Sequence, residues 1–172
     1  MLAAETLVTA PARSTENGRP TLRLCRPGNA AAALGLAVAH LMTRPAFARL
    51  EFGAWSRVLV GQVNRRHYHL VLDRNRVVGF LGWALTSEAN AEAWLLGRSR
   101  FDDAEATGGD CVVFNIWSAD TRAVNRFVLE AARRVARGKR RVYGKRCYEN
   151  GTVRPVAVNV NAFVAGHLPH AA

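Results

Sequence analysis

Apolar residues near the start of the chain are spaced as in helices. Ala30–Met42 is rich in Ala and Leu, which are the strongest helix formers. Asn29 precedes this segment in the position of an N-cap, and Arg44-Pro45 follows it and is expected to end the helix. A second helical stretch comes next, and its predicted inward residues are Phe47, Leu50, Trp55 and Leu59.

From His67 onward apolar residues alternate with polar ones, which is typical of β-strands. The turn sequence Asp73-Arg74-Asn75-Arg76 and the pair Asn150-Gly151 each favour a hairpin between two such segments. Val77–Leu85 is apolar almost throughout, as expected for a central strand covered on both faces. The predicted strands are His67–Leu72, Val77–Leu85, Cys111–Trp117, Arg141–Tyr148 and Val153–Val160. Thr21–Cys25 alternates weakly and could pair at a sheet edge, but it is assigned to the N-terminal tail.

Two further helices are predicted between these strands. Thr86 or Ser87 is placed to cap Glu88–Leu96, and an amphipathic helix spans Ala123–Arg137 and ends at Gly138. This order of elements indicates an α/β or α+β fold in which helices pack on a sheet. The predicted division is a flexible N-terminal tail over 1–28, a single domain over 29–165 and a C-terminal tail over 166–172.

Composition and charge narrow the class of protein. The 172 residues are 49% apolar, which fits one domain with a packed core. A net charge of +11 predicts an acidic partner, such as nucleic acid, an anionic membrane face, a phosphorylated cofactor or an acidic carrier protein. The apolar run Ala30–Met42 is too short for a membrane span, which needs about 20 residues. The start of the chain lacks the pattern of a secretory signal, so a cytoplasmic location is predicted.

The number and spacing of the cysteines argue against a fold held by disulfides or by a metal ion. Cys25, Cys111 and Cys147 are odd in number, widely spaced and without a C-x-x-C pair. Neither a disulfide framework nor a zinc site is indicated, and reduced structural thiols are expected.

Short motifs, in the same order along the chain, resemble those of the RTX toxin-activating lysine acyltransferases. They are Ala33-Leu34-Gly35, Thr43-Arg44-Pro45, Val78–Leu85, and Gly109-Asp110 followed by an apolar run to Trp117-x-Ala119. The resemblance covers roughly 34–160. It implies a GNAT-like fold with a mixed, largely antiparallel sheet and helices packed on both faces.

The resemblance also implies an activity and its partners. The family transfers a fatty acyl group from acyl carrier protein, where it is a phosphopantetheine thioester, to lysines of an RTX-type protein. No permanently bound cofactor and no metal are implied. The family's catalytic histidine and aspartate fall at positions where this chain has Phe47 and Ile116. Neither side chain can transfer a proton, so other residues would have to supply the acid/base chemistry.

Three residues are candidates for that chemistry, and each has an ordinary structural alternative. His40 lies on the first predicted helix and is equally compatible with a helix histidine at a partly buried boundary. Asp120 is placed to cap a helix, and Asn115 can polarise a carbonyl if its side chain faces the cleft. His67 and His69 share one strand face, where they would serve as metal ligands or as a solvated surface.

Binding residues are predicted at three places. Ser118 and Thr121 precede the long helix, whose N-terminus favours a phosphate, although an ordinary cap is the alternative. Trp83 and Trp117 either line an acyl channel or pack in the core. Arg140 and Arg141 belong to a stretch of eight cations in 14 residues, suited to an acidic carrier protein or exposed simply as a solvated face.

Three functions therefore stay open at this point. The first is an acyltransferase of the toxin-activating type with a rearranged active site. The second is a catalytically silent adaptor or chaperone that keeps the fold and the acidic-partner surface. The third is a basic nucleic-acid-binding protein, for which Tyr143 and Tyr148 would stack on bases.

Overall fold

A computed structural model describes residues 21–100, 105–148 and 151–160. Residues 1–20 and 161–172, which include most of both predicted tails, lie outside the described residues. The elements are β1 (Leu22–Cys25), α1 (Ala30–Leu41), α2 (Pro45–Ala48), α3 (Phe52–Arg65), β2 (Tyr68–Asp73), β3 (Arg76–Thr86), α4 (Glu88–Leu95), β4 (Cys111–Ala119), α5 (Arg122–Ala136), β5 (Arg141–Cys147) and β6 (Val153–Asn159). In the part of the chain so described, the helices are all too short or too polar to span a membrane.

The six strands form one sheet in the order β1-β2-β3-β4-β5-β6. Neighbouring strands are antiparallel except for β4 and β5, which run parallel. The α/β class, the single mixed and largely antiparallel sheet and both hairpins are therefore confirmed. Leu22–Cys25, which lies in the segment predicted to be a flexible tail and had only a possible edge pairing, forms the paired strand β1.

Helices pack on both faces of this sheet. The α1–α3 face is covered by α1 and α3, which bury an apolar cluster formed by Ala33, Ala37, Leu41, Trp55, Leu59, Val63, Tyr68, Leu70, Phe80 and Ile116. The α5 face is covered by α5, which buries Val71, Val78, Leu81, Trp83, Val112, Val124, Val128, Ala131 and Ala132. A smaller cluster beneath α4 contains Ala91 and Tyr143.

The predicted caps Asn29 and Ser87 are present, whereas the cap predicted at Asp120 is wrong, because its carboxylate contacts Arg44 and faces His40. The Asn29 side chain accepts hydrogen bonds from the first turn of α1, Ser87 caps α4 and Thr121 caps α5. Gly138, just after α5, has a φ of +73°, which favours glycine there.

The second helical stretch differs from the prediction. It is divided into α2 and α3, and the chain between them is not helical. Leu50 lies in this break and is 49% exposed, so its predicted inward placement is wrong. Glu51 is the N-cap of α3, so the helical register restarts there, and Trp55 and Leu59 still face the core.

Two irregularities of β4 shape the region of the candidate site. Residues 111–114 of β4 pair with residues 141–144 of β5, and no pairing between the two strands continues beyond them in the described residues. The gap that follows, between 115–119 of β4 and 145–147 of β5, is here named the β4–β5 opening. Asn115 forms a β-bulge at its start, because Gly82 pairs with Ile116 and the next residue, Trp83, pairs with Phe114.

Candidate active site

A histidine, a serine and an aspartate from distant parts of the chain meet on the α1–α3 face. His40 comes from the last turn of α1, Ser118 from the end of β4, and Asp120 from the turn before α5. The His40 Nε2 atom lies 3.0 Å from Ser118 Oγ, and its Nδ1 atom lies 4.0 Å from Asp120 Oδ1. His40 and Ser118 are each only 6% exposed, so their contact is shielded from solvent.

The surroundings of His40 determine which ring nitrogen carries the proton. The Val77 backbone accepts a hydrogen bond from the imidazole, and Asp120 faces Nδ1. Asp120 favours a proton on Nδ1, because a negative charge stabilises N–H there. Nε2 then carries the lone pair and accepts the hydrogen bond that the Ser118 hydroxyl donates.

The pKa of His40 is lowered from its ordinary value. Burial is the largest cause, the positive charge of Arg44 adds to it, and Arg76 contributes in the same direction. Asp120 and the hydrogen bond to Val77 oppose the shift. The imidazole is therefore neutral at pH 7, which is the form that can accept a proton.

Asp120 is held in place by two arginines. Its Oδ1 atom forms a charged hydrogen bond with Arg44, and its Oδ2 atom lies 3.8 Å from Arg76 Nη1. The Nε atom of Arg44 is buried and has no hydrogen-bond partner in the described part of the chain. The cluster thus contains a fixed carboxylate and one unsatisfied donor.

Asn115 is oriented by a buried glutamine of α3. Gln62 is fully buried, and its Nε2 atom donates to Asn115 Oδ1 across 2.6 Å. This bond uses the oxygen of the Asn115 side chain and leaves its amide N–H groups as donors. Gln62 was absent from the candidates, although a polar residue within the inward stripe of a helix is a signal in itself.

Gly82 provides the space that this pair needs. A Cβ at that position would overlap the Gln62 amide. Gly82→Ala is expected to lower the free energy of unfolding by roughly 1–3 kcal/mol, because the buried amide must move. Gly35→Ala is the matched control: the site is exposed on α1 with no atom within 4 Å of the added Cβ, so a gain of about 0.5–1 kcal/mol is expected. Urea denaturation measures both, and equal effects would contradict the prediction.

Phe47 and Ile116, at which the sequence resemblance places the catalytic pair, belong to the apolar side of the α1–α3 face. Ile116 is 4% exposed within the apolar cluster of that face, and Phe47 packs against it. Ile116 lies two residues before Ser118 on the same face of β4, and Phe47 lies seven residues after His40. The His40–Ser118 pair therefore lies at the edge of the apolar region that Phe47 and Ile116 fill.

The two tryptophans lie on the opposite side of the sheet. Trp83 belongs to the α5-face cluster, where it contacts the rings of His67 and His69. Trp117 packs against the same cluster, and its Nε1 atom donates to Asn125 Oδ1 across 2.8 Å. The sheet thus separates both indole rings from His40.

Arg140 and Arg141 lie at the far end of β4 from Ser118. Arg141 pairs with Cys111, seven residues from Ser118, which corresponds to roughly 23 Å along the strand. Both arginines hydrogen-bond to Glu88, and Arg140 also pairs with Asp110. These bonds lower the pKa of Glu88, and the bond to Arg141 has the largest effect. Both cations therefore have carboxylate partners within the fold.

His67 and His69 lie on the α5 face beside Trp83. Among residues 21–100, 105–148 and 151–160, no group of three or more His, Cys, Asp or Glu side chains is suited to hold a metal ion. The Nε2 atom of His69 lies 3.0 Å from Arg26 Nη2, so this ring nitrogen accepts a hydrogen bond from a cation.

The shifted pKa of His69 predicts a pH-dependent stability. Burial, followed by the charges of Arg26 and Arg134, lowers it to about 4, below the ordinary value near 6.5. Between about pH 4 and 6.5 the unfolded chain then binds more protons than the folded chain. The free energy of unfolding is therefore highest above about pH 6.5 and falls as the pH is lowered to about 4. His69→Gln is expected to flatten this fall, and unfolding titrations between pH 4 and 7 measure it. Some slope persists from His40 and His67, whose pKa values are also lowered; an unchanged slope would contradict the assignment to His69.

Comparison with known proteins places this geometry in context. A model of the RTX toxin acyltransferase family matches residues 26–164. The solved loading GNATL domain of CurA from Lyngbya majuscula is 12% identical, with a TM-score of 0.52 over 75% of this chain and 66% of that one. Agmatine N-acetyltransferase, in an apo form, is also 12% identical, with a TM-score of 0.52 over 87% of this chain and 82% of that one. At such identities the likeness shows the GNAT-like fold alone. Curated proteins gave no match.

Proposed function

This chain belongs to the RTX toxin acyltransferase family, and on that premise we propose that it transfers a fatty acyl group from acyl carrier protein to lysine side chains of an RTX-type protein. The observation that carries the proposal is the buried pair formed by His40 and Ser118, backed by Asp120. It provides a proton acceptor although Phe47 and Ile116 occupy the positions of the family's acid and base.

Acyl transfer requires that a nucleophile lose a proton while the thioester carbonyl is attacked. His40 supplies the acceptor, because its Nε2 lone pair is directed at a hydroxyl and the ring is neutral at pH 7. Asn115 supplies a donor to the carbonyl oxygen, since Gln62 engages only its side-chain oxygen. Asp120 stabilises the positive charge that develops on the imidazole.

The donor is proposed to enter along the β4–β5 opening. Unpaired backbone of β4 faces this gap, and an extended pantetheine arm can form hydrogen bonds there as a further strand would. The opening lies next to the first turn of α5, where Thr121 caps the helix and backbone N–H groups favour a phosphate. Basic residues around β5 and β6 suit the acidic surface of a carrier protein, as the net charge of +11 does.

A second candidate function is a non-catalytic adaptor that binds the same partners. It is favoured by one observation: Phe47 and Ile116 are built into an apolar cluster and offer no proton-transfer group. An adaptor forms a complex with an acyl carrier protein or an RTX-type protein without changing either.

Mass spectrometry separates the two functions in one sample. The purified chain is mixed with palmitoyl-loaded acyl carrier protein and a candidate RTX-type protein, and the masses of complexes and acceptor are recorded. An acyl mass added to acceptor lysines, dependent on this chain, supports the transferase. A stable complex with no added acyl mass after prolonged incubation supports the adaptor and contradicts the transferase. A carrier protein without an acyl chain serves as the control for uncatalysed modification.

A further inference from the structure

We propose that Ser118 is the nucleophile of the first half of the reaction, so that the acyl group rests on its Oγ as an ester before it reaches lysine. This inference rests on the proposed function and adds a covalent step and a second catalytic residue to it. It follows from the geometry around His40 and not from the positions that the family uses.

The lone pair of His40 is already occupied by the Ser118 hydroxyl. The Nε2 atom lies 3.0 Å from Ser118 Oγ, within the range of a nucleophile and its general base. A lysine amine would have to displace this hydroxyl before His40 could accept its proton. The Ser118 hydroxyl is therefore the group whose proton His40 is placed to accept.

The Asp120 carboxylate supports His40 on the side of the ring away from Ser118. Asp120 Oδ1 lies 4.0 Å from the other ring nitrogen of His40, beyond hydrogen-bond distance, so the carboxylate supports the base through its charge, and hydroxyl, imidazole and carboxylate follow one another in the order of a catalytic triad. Arg44 and Arg76 fix the carboxylate. Since triads are recognised by geometry and role, their unusual order along this chain, His then Ser then Asp, is no obstacle.

The oxyanion that forms on the thioester carbonyl also needs stabilisation. Attack on the thioester places a negative charge on the carbonyl oxygen, which needs a donor in a site shielded from water. The Arg44 Nε–H is buried and lacks a partner in the described residues, and its guanidinium already belongs to the cluster through Asp120. We assign this donor to the developing oxyanion, with the side-chain amide of Asn115 as the second donor.

The chemistry balances without any further reactant. Ser118 Oγ bonds to the acyl carbon while its proton passes to His40 Nε2. The C–S bond breaks, and the thiolate of the pantetheine takes that proton as it leaves. In the second half a neutral lysine amine attacks the ester and gives its proton to His40, which returns a proton to Ser118 Oγ as the C–O bond breaks.

An alternative account is that the Ser118 hydroxyl only satisfies a buried imidazole. Only a nucleophilic Ser118 forms a covalent acyl adduct, whereas a purely structural hydroxyl does not. The full chain is incubated with palmitoyl-loaded acyl carrier protein and no acceptor, quenched in acid and weighed intact. We expect one added acyl group, mapped to the peptide that contains Ser118 and released by hydroxylamine.

Variants connect the adduct to turnover. Ser118→Ala is expected to give no adduct and at least a 100-fold lower rate of lysine acylation. Ser118→Cys is expected to trap a thioester of the same acyl group, which keeps the test decisive if the alanine variant folds poorly. Ser56→Ala, a serine of α3 outside the cluster, is the matched control and should keep both adduct and rate.

A fluorophosphonate probe separates failure of this inference from failure of the proposed function. The probe labels an activated serine without any carrier protein, so labelling at Ser118 that His40→Gln abolishes supports the inference even if the acyl donor is another thioester. The inference is overturned if Ser118→Ala acylates lysine at the wild-type rate and no adduct or labelling is found at Ser118. That result would still support the proposed transferase function. Absence of both lysine acylation and Ser118 modification overturns both.

Discussion

Replacing His40 by glutamine is expected to lower the rate of acyl transfer by about 10²–10⁴-fold, the usual contribution of a general base. Glutamine keeps a hydrogen-bonding group near Ser118 but cannot accept and return a proton at neutral pH. The helix that carries the residue should persist, since its other inward residues, such as Ala37 and Leu41, are unchanged. Initial rates of acceptor acylation at saturating donor measure the effect.

The same substitution at a half-buried histidine provides the control. His69 lies on the α5 face, where it contacts Trp83 and Arg26, and it is separated from Ser118 by the sheet. His69→Gln should leave the rate within about threefold of the wild type, since surface or distant changes rarely exceed a fraction of a kcal/mol. If His40→Gln were equally active, His40 would be a structural residue only.

The elements of this fold were largely predictable because local signals determine them. Alternation and turn residues predicted both hairpins, and cap residues such as Asn29 and Ser87 marked where helices begin. The exception was the stretch after Pro45, where apolar spacing continued across a break in the helix. Leu50 keeps the spacing of an inward residue, but the restart at Glu51 leaves it exposed.

The site was less predictable because it depends on contacts between distant residues. His40 and Ser118 are 78 positions apart, and no local pattern shows that they share a hydrogen bond. The sequence suggested Ser118 as a phosphate ligand, whereas the structure places its hydroxyl on His40. The ion pairs of Glu88 with Arg140 and Arg141 are likewise invisible in the sequence, although they alter how free these cations are.

Asp120→Asn is expected to change both the rate of acyl transfer and its dependence on pH. The carboxylate raises the pKa of His40 against the opposing effects of burial and Arg44. Without its charge that pKa falls further, so the base form persists to lower pH and the acid limb of the rate profile shifts downward. The rate at neutral pH should fall about 10- to 100-fold, because a charged partner is worth roughly 1.5–3 kcal/mol to the imidazolium formed in the reaction.

The shift of the acid limb identifies Asp120 as a positioning residue that acts through His40. Damage to packing alone would lower the rate at every pH and leave the limb in place. Asp73→Asn, the same change at the end of β2, is the control and should alter neither quantity. A rate profile of Asp120→Asn that is scaled down but keeps the wild-type acid limb would show that the carboxylate serves only to anchor Arg44 and Arg76.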